Sequence, residues 1–252
     1  MDRPNTIVTR PSIVGVVNVT EDSFSDGGRF LDPDRAIEHA LSLAGAGADV
    51  VELGPASSHP DAREVSPDEE IRRLEPVVAR LLAAGVPVAI DSFRIETQRY
   101  ALGRGVAFLN DIQGFPDPEI YPDLARSRCE LVVMHSVQGR GRATRVETDP
   151  ATIVERIERF FTERIASLEA AGVARDRLIL DPGMGFFLGN NPEPSLVVLR
   201  WIPELKRRFG LPLLVSVSRK SFLRAITGRS VDELLSATLA AEIFAATRGV
   251  DY

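Results

Sequence analysis

The sequence predicts a (β/α)8 barrel spanning residues 1–252 as one domain, and three observations carry that prediction. Seven short runs of β-type apolar residues each stop at a small or polar side chain, the segments between them turn to helical spacing, and an eighth run begins at Gly249. The stops are 19 residues apart at the closest, Asp91 to Asn110, and 46 at the widest, His135 to Asp181. Such spacing suits a strand, a covering helix and two loops. In a closed ring of parallel strands the carboxyl ends surround the active site, so the polar stops mark where chemistry is expected.

The elements follow in order. Residues 13–17 (IVGVV) stop at Asn18, after which Asp32-Pro33 supplies a cap with proline in the first helical turn. Residues 49–51 stop at Glu52, and Ser66-Pro67-Asp68-Glu69 opens the next helix as a capping box. Residues 86–90 stop at Asp91, 106–109 at Asn110 and 131–134 at His135. Asp149-Pro150 is expected to open the longest helix, where Ile153, Ile157, Phe160, Phe161, Ile165 and Leu168 recur at helical spacing and face the barrel wall. Residues 177–180 stop at Asp181, and 211–215 run into Ser216 to Ser218. A second capping box, Ser230-Val231-Asp232-Glu233, precedes the apolar stretch Leu234 to Ala246. The eighth strand is expected only to begin, at Gly249 to Tyr252.

A chain of 252 residues buries roughly three quarters of its unfolded surface, so neither disulfide nor metal is required for stability. Its 44% hydrophobic and 26% charged content is that of a globular protein. The formal charge of −6 argues against a nucleic-acid partner, which calls for a basic face. No run reaches the length of a membrane span and no leader pattern opens the chain, so a cytoplasmic protein is expected. The single cysteine, Cys129, fits a reducing compartment and, placed before a strand, reads as a buried structural thiol.

Three loops after strands are long: Thr20 to Phe30, Pro55 to Val65, and Ser136 to Thr148. The third, rich in glycine and arginine, reads as a mobile solvated loop in which Arg140, Arg142 or Arg145 could greet an anion. Asp91, Asn110 and Asp181 end three different strands, and together they match the alternating donors and acceptors of a flat heterocycle. Lys220, one of only two lysines among 30 basic residues, adds a compact ammonium. Asn18 offers a neutral amide oxygen suited to Mg2+ whose shell is completed by phosphate. Gly183 and Gly185 allow either a close approach to a ligand or a sharp turn. His135 reads as a satisfied rim residue or a ligand contact, and His39 as surface; the three histidines are too scattered for zinc.

Asn18-Val19-Thr20 through Gly28, Asp91-Ser92-Phe93, Leu109-Asn110-Asp111-Ile112, Leu180 through Phe186, and Ser218-Arg219-Lys220-Ser221 together resemble the dihydropteroate synthases, in order and over essentially the whole chain. Gly54 to Ala62 and Asn110 to Asp117 look most like the mobile-element members that confer sulfonamide resistance. The resemblance implies condensation of 6-hydroxymethyl-7,8-dihydropterin diphosphate with 4-aminobenzoate, giving 7,8-dihydropteroate and pyrophosphate. It implies that Asp91, Asn110, Met134, Asp181 and Lys220 hold the pterin and that Asn18 binds Mg2+. Ser58, His59, Phe186, Phe187, Ser218 and Arg219 would meet aminobenzoate or diphosphate, and Asp91, Asp181, Lys220 and Asn18 would carry the catalysis. A homodimer through late helices is implied as well.

Departures from the family pattern shape further expectations. His59 replaces an arginine, with Arg63 as a potential substitute. Phe187 and Leu188 stand where many members have glycine and lysine, and with the Gln113-Gly114-Phe115 loop they are expected to exclude the larger sulfonamide by clash. The family's last strand carries an arginine and a histidine followed by a closing helix, whereas this chain stops at Asp251-Tyr252. Taken literally, such a chain would be poorly stable and weakly active. A methyltetrahydrofolate-binding methyltransferase barrel would share the polar ring but needs no diphosphate site, and a noncatalytic pterin-binding paralogue is the third reading.

Overall fold

A computed structural model describes residues 10–20, 32–139 and 141–252. Six parallel strands run in sequential order: β1 (Val14–Asn18), β2 (Val50–Gly54), β3 (Val88–Asp91), β4 (Phe108–Asp111), β5 (Glu130–Met134) and β6 (Leu178–Asp181). The ring continues beyond β6 through backbone hydrogen bonds. The Leu214 amide donates to Leu180, the Asp251 amide donates to Leu213, and the Val215 amide donates to Tyr252. The Ser12 amide then donates to the Asp251 carbonyl at 2.8 Å. The seventh and eighth runs thus close the barrel, and the eighth is paired on both sides.

Outside the ring lie α1 (Pro33–Gly45), α2 (Pro67–Ala83), α3 (Ile95–Arg104), α4 (Tyr121–Arg126), α5 (Ile153–Ala170), α6 (Glu193–Phe209), α7 (Ser221–Thr227) and α8 (Leu235–Thr247). Two expected starts are as read: Asp32 accepts from the Asp34 amide, and Ser66 from the Glu69 amide. The α5 start differs. Asp149 caps a preceding turn by accepting from the Ala151 amide at 2.9 Å, and the helix proper begins at Ile153. Ser230 forms its capping box on a 3-10 turn that leads into α8.

Strand alternation divides the wall into two faces. Val51, Leu53, Val88, Ile90, Leu109, Leu131, Val133, Leu178 and Leu180 point outward and join one core with the helices, including Ile153, Ile157, Phe161, Ile165 and Leu168 of α5. Ile90 and Leu109 are fully buried; each such side chain contributes roughly 1.5–3 kcal/mol. The alternate residues face inward. There Phe108 of β4 meets Tyr252 edge-on at 5.9 Å, filling the floor of the barrel. The polar strand ends form the opposite rim.

Cys129 is 5% exposed, and burial pushes its thiol up to about 12, as expected of a structural cysteine. No helix among the described residues is long and apolar enough to cross a membrane. The polar turn Asp22 to Gly28 and Arg140 lie outside the described residues.

Candidate active site

Parallel register sets the strand ends level. Asp91 stands opposite Asn110, Met134 opposite Asp181, and Asn18 opposite Gly54. A cavity of about 230 Å³ opens inside this rim, lined by Glu52, Asp91, Asn110, Asp181, Lys220 and, on its apolar side, Met134 and Phe187. The four residues expected to surround one guest therefore share one cavity.

Glu52, Asp91 and Asp181 of the strand ends, Glu242 of α8 and the Lys220 ammonium face this space, and desolvation raises all four carboxyl groups. Asp181 is 3% exposed, and desolvation raises it to about 7 against the Gly183 amide, which donates to it at 2.7 Å, and the charge of Lys220. Asp91 is held well above the ordinary carboxylate range, chiefly by desolvation and then by Glu52 and Asp111. Desolvation also raises Glu52, while the Asn110 bond and Lys220 oppose the rise. The cavity therefore offers carboxyl groups able to donate or accept near neutral pH, which suits a heterocycle of mixed edges. Lys220 sits at the start of α7 with its ammonium 5.6 Å from the Phe187 ring centroid.

Phe187, Ile112, Met134 and Ala143 form an apolar cluster separate from the main core, with Phe93 and Phe186 packed against it. It walls the mouth. Phe186 meets the His59 ring edge-on at 5.7 Å, and burial lowers the His59 pKa. Ser58 lines the cavity, whereas the linings omit His59, Phe186 and Arg219. Arg219 adopts φ 53 and its amide donates to the Thr238 hydroxyl; Ser218 is exposed at the rim. Phe115 does not join Phe187. It is fully buried in the main core, because the Asp111 carboxylate accepts from the amides of Gln113 and Phe115 and folds that loop inward. Arg63 pairs with Glu69 and lines a neighbouring cavity of about 530 Å³ that shares Ser58, Asp91 and Ile112 with the first.

The fifth loop is not free-standing. The Val137 amide donates to Phe187, Gln138 to the Phe186 carbonyl, and the Ala143 amide to Ser58. Arg145 forks onto Asp61, and Arg142 donates to the Ala62 carbonyl. The expected solvated loop is thus a strap across the mouth. His135 is a satisfied rim residue: 3% exposed, it bonds through Nδ1 to the Pro182 carbonyl at 3.1 Å, and burial lowers it to about 4. The ring is neutral and donates through that nitrogen. Gly183 serves a sharp turn, for at φ 78 a Cβ would strike the His135 carbonyl.

Several residues of this frame received no role from the sequence. Glu52 was visible as a strand stop, but its bond to Asn110 was not. Glu70 and Arg73 are buried in α2, where Glu70 accepts from Ser92 and Arg73 donates to the Pro55 carbonyl at 2.8 Å. Their signal was positional. Glu70 shares the apolar stripe of Leu74, Val77 and Leu81, where a carboxylate needs a polar partner.

For Mg2+ the donor chemistry fits. Asn18 presents an amide oxygen beside Gly54, where a Cβ would stand 3.2 Å away, and two residues on the buried Thr20 hydroxyl has no hydrogen-bond partner among the described residues. Among the described residues no three acidic, histidine or cysteine side chains cluster as metal ligands, so phosphate oxygens and water would complete the shell.

The pterin binding enzyme family matches residues 14–252. The Escherichia coli dihydropteroate synthase type-2 is 59% identical over 240 residues, covering 95% of this chain and 88% of the relative. The type-3 enzyme of the same organism is 55% identical, covering 95% and 91%. The structure of Xanthomonas albilineans dihydropteroate synthase in complex with 7,8-dihydropteroate superposes with a TM-score of 0.81 at 34% identity, covering 96% and 86%.

Proposed function

Since the chain belongs to the dihydropteroate synthase family of transferases, we propose that it joins 6-hydroxymethyl-7,8-dihydropterin diphosphate to 4-aminobenzoate at the cavity between Asp91, Asn110, Asp181 and Lys220. The convergence of these four side chains on one cavity carries the reading.

An aryl amine is a weak nucleophile, so departure of pyrophosphate governs the barrier. The C–O bond from the pterin methylene to the diphosphate breaks, the amine lone pair forms the new C–N bond, and the ammonium proton leaves to solvent. Asp91 and Asp181 hold the pterin edge and, when ionised, favour positive charge on the methylene. Lys220 donates to a ring carbonyl or nitrogen, and Met134 and Phe187 pack on the guest. Ser58 and Ser218 meet the aminobenzoate carboxylate or the diphosphate, and His59, Phe186 and Arg219 assist them; the cavity lining of Ser58 and Ser218 supports this part of the reading. Mg2+ held by Asn18, with Thr20 at hand, would offset the negative charge of the diphosphate.

The Phe187 wall supports a second element of the proposal, exclusion of sulfonamides. The exposed row Leu235, Leu239 and Ile243 along α8 supports a homodimer through that face. The free cysteine supports a cytoplasmic setting. The decisive assay is pyrophosphate release that requires the pterin diphosphate, 4-aminobenzoate and Mg2+ together. Release that ignores aminobenzoate, or none at all, overturns the reading.

A further inference from the structure

Ser218 and Lys220 both line the cavity, and the residue between them is held in an unusual backbone state. Arg219 takes φ 53, one of two positive values found at residues other than glycine among the described residues. That region is disfavoured for an arginine, whose Cβ crowds the following carbonyl oxygen, so a contact made only in that state has to offset the cost. Such a contact is present. The Arg219 amide donates to Thr238 Oγ1 at 3.0 Å, and Thr238 is 5% exposed in α8. The next amide, that of Lys220, donates to the Val217 carbonyl at 3.3 Å, which closes the turn and sets Lys220 at the start of α7. The loop after β6 fixes the other side: at Gly185 a Cβ would stand 2.9 Å from Ser221 Oγ and 3.3 Å from the Lys220 Cβ.

We propose that Thr238 is a positioning residue: its hydroxyl accepts from the Arg219 amide, keeps the turn in its left-handed state, and so aims the Lys220 ammonium into the cavity. The inference rests on the transferase reading above. Without that acceptor the Arg219 backbone relaxes toward negative φ, and the chain leaves Ser218 in a new direction. The Lys220 stem then comes away from Gly185. A rotation of the backbone is magnified along a flexible four-carbon stem, and a donor displaced by about 1 Å loses much of its effect on a reaction. Thr238 itself touches no substrate in this scheme and acts through Lys220.

The test is steady-state pyrophosphate release, with both substrates and Mg2+, in the wild type, Thr238→Val, Thr238→Ser, Lys220→Met and the double variant Thr238→Val with Lys220→Met. Valine keeps the volume and removes the acceptor, so Thr238→Val should lower kcat/KM about tenfold, the scale of one hydrogen bond. Thr238→Ser keeps the acceptor and should stay within about twofold of the wild type. In the Lys220→Met background the valine should cost less than about twofold, because the group it positions is already gone. A role in folding alone would lower activity by the same factor in both backgrounds, and that result overturns the proposal. So does a Thr238→Val variant as active as the wild type. If Thr238→Val does not fold, Thr238→Ser decides: activity near the wild type supports the acceptor role, and a tenfold loss overturns it. A wild type without aminobenzoate-dependent release overturns the transferase reading and this inference together, whereas an active wild type with any of the adverse results removes only the role of Thr238.

Discussion

Arg145 of the fifth loop grips both carboxylate oxygens of Asp61 in the second loop, 84 residues away in sequence. Around this pair the Ala143 amide reaches the Ser58 carbonyl, so two loops that leave different strands close over the mouth as one unit. The pair is exposed and screened, and its effect is to preorganise the loops. Arg145→Ala is expected to raise the KM for 4-aminobenzoate by less than about fivefold, with the midpoint of thermal unfolding unchanged. Added salt should weaken the wild type toward the variant. A KM insensitive to both salt and substitution would mean that the strap does not shape the pocket.

Phe187 stands 7% exposed in the apolar cluster at the mouth, with the Lys220 ammonium over its ring. Phe187→Gly is expected to lower the sulfamethoxazole inhibition constant about tenfold or more while changing the KM for 4-aminobenzoate much less. Phe115→Ala should leave the inhibition constant alone and instead destabilise the fold by about 3–5 kcal/mol, because that ring belongs to the main core. Equal inhibition of wild type and Phe187→Gly removes the clash argument.

Asp181 is raised to about 7 in the folded chain, whereas an unfolded aspartate titrates near 3.8. The folded state therefore binds more protons between these values, and stability from this group is full below about pH 4 and lost as pH rises through about 7. The loss is on the order of 4 kcal/mol. Asp181→Asn keeps an acceptor for the Gly183 amide and has no such titration. Urea unfolding at about pH 4.5 and about pH 8, which bracket the titration, should show the variant losing less stability with rising pH. Parallel profiles would refute the shift.

Lys220→Met should cut kcat/KM by about 100-fold, the scale of a lost preorganised donor. Lys220→Arg should not restore it, since a longer side chain with a planar fork of donors does not put a single compact donor at the same point of the cavity. Rescue by arginine would assign the position to charge alone.

Cys129, with its thiol pushed up to about 12, should resist a disulfide reagent at pH 8 and react fully in denaturant. Prompt labelling of the native chain would contradict its burial.

The barrel was legible because its signals are local. A strand stop needs only a handful of residues, and a cap such as Ser66 with Glu69 needs four. Level strand ends then bring Asp91, Asn110, Asp181 and Lys220 together by topology. What escaped was tertiary. Whether the loop from Ser136 to Thr148 is loose or tied depends on partners such as Asp61 and Phe186, which no spacing reveals. Phe115 reads as an exposed loop aromatic until Asp111 is seen to fold its backbone inward. The short helices α4 and α7 offer too few turns for periodicity to show. Glu52 looked like any strand stop, for its importance lies in one bond to a residue two strands away.

The seam of the ring joins Ser12 to Asp251, next to the two ends of the described chain. A contact between such distant residues forms late, since every intervening strand must already be ordered. Before the seam forms, the ring is an open staircase of parallel strands, with the flanks of β1 and of the eighth run unsatisfied. Those flanks offer another copy of the chain the same backbone partners that the seam later supplies, and this makes crowding before closure the hazard of its biogenesis.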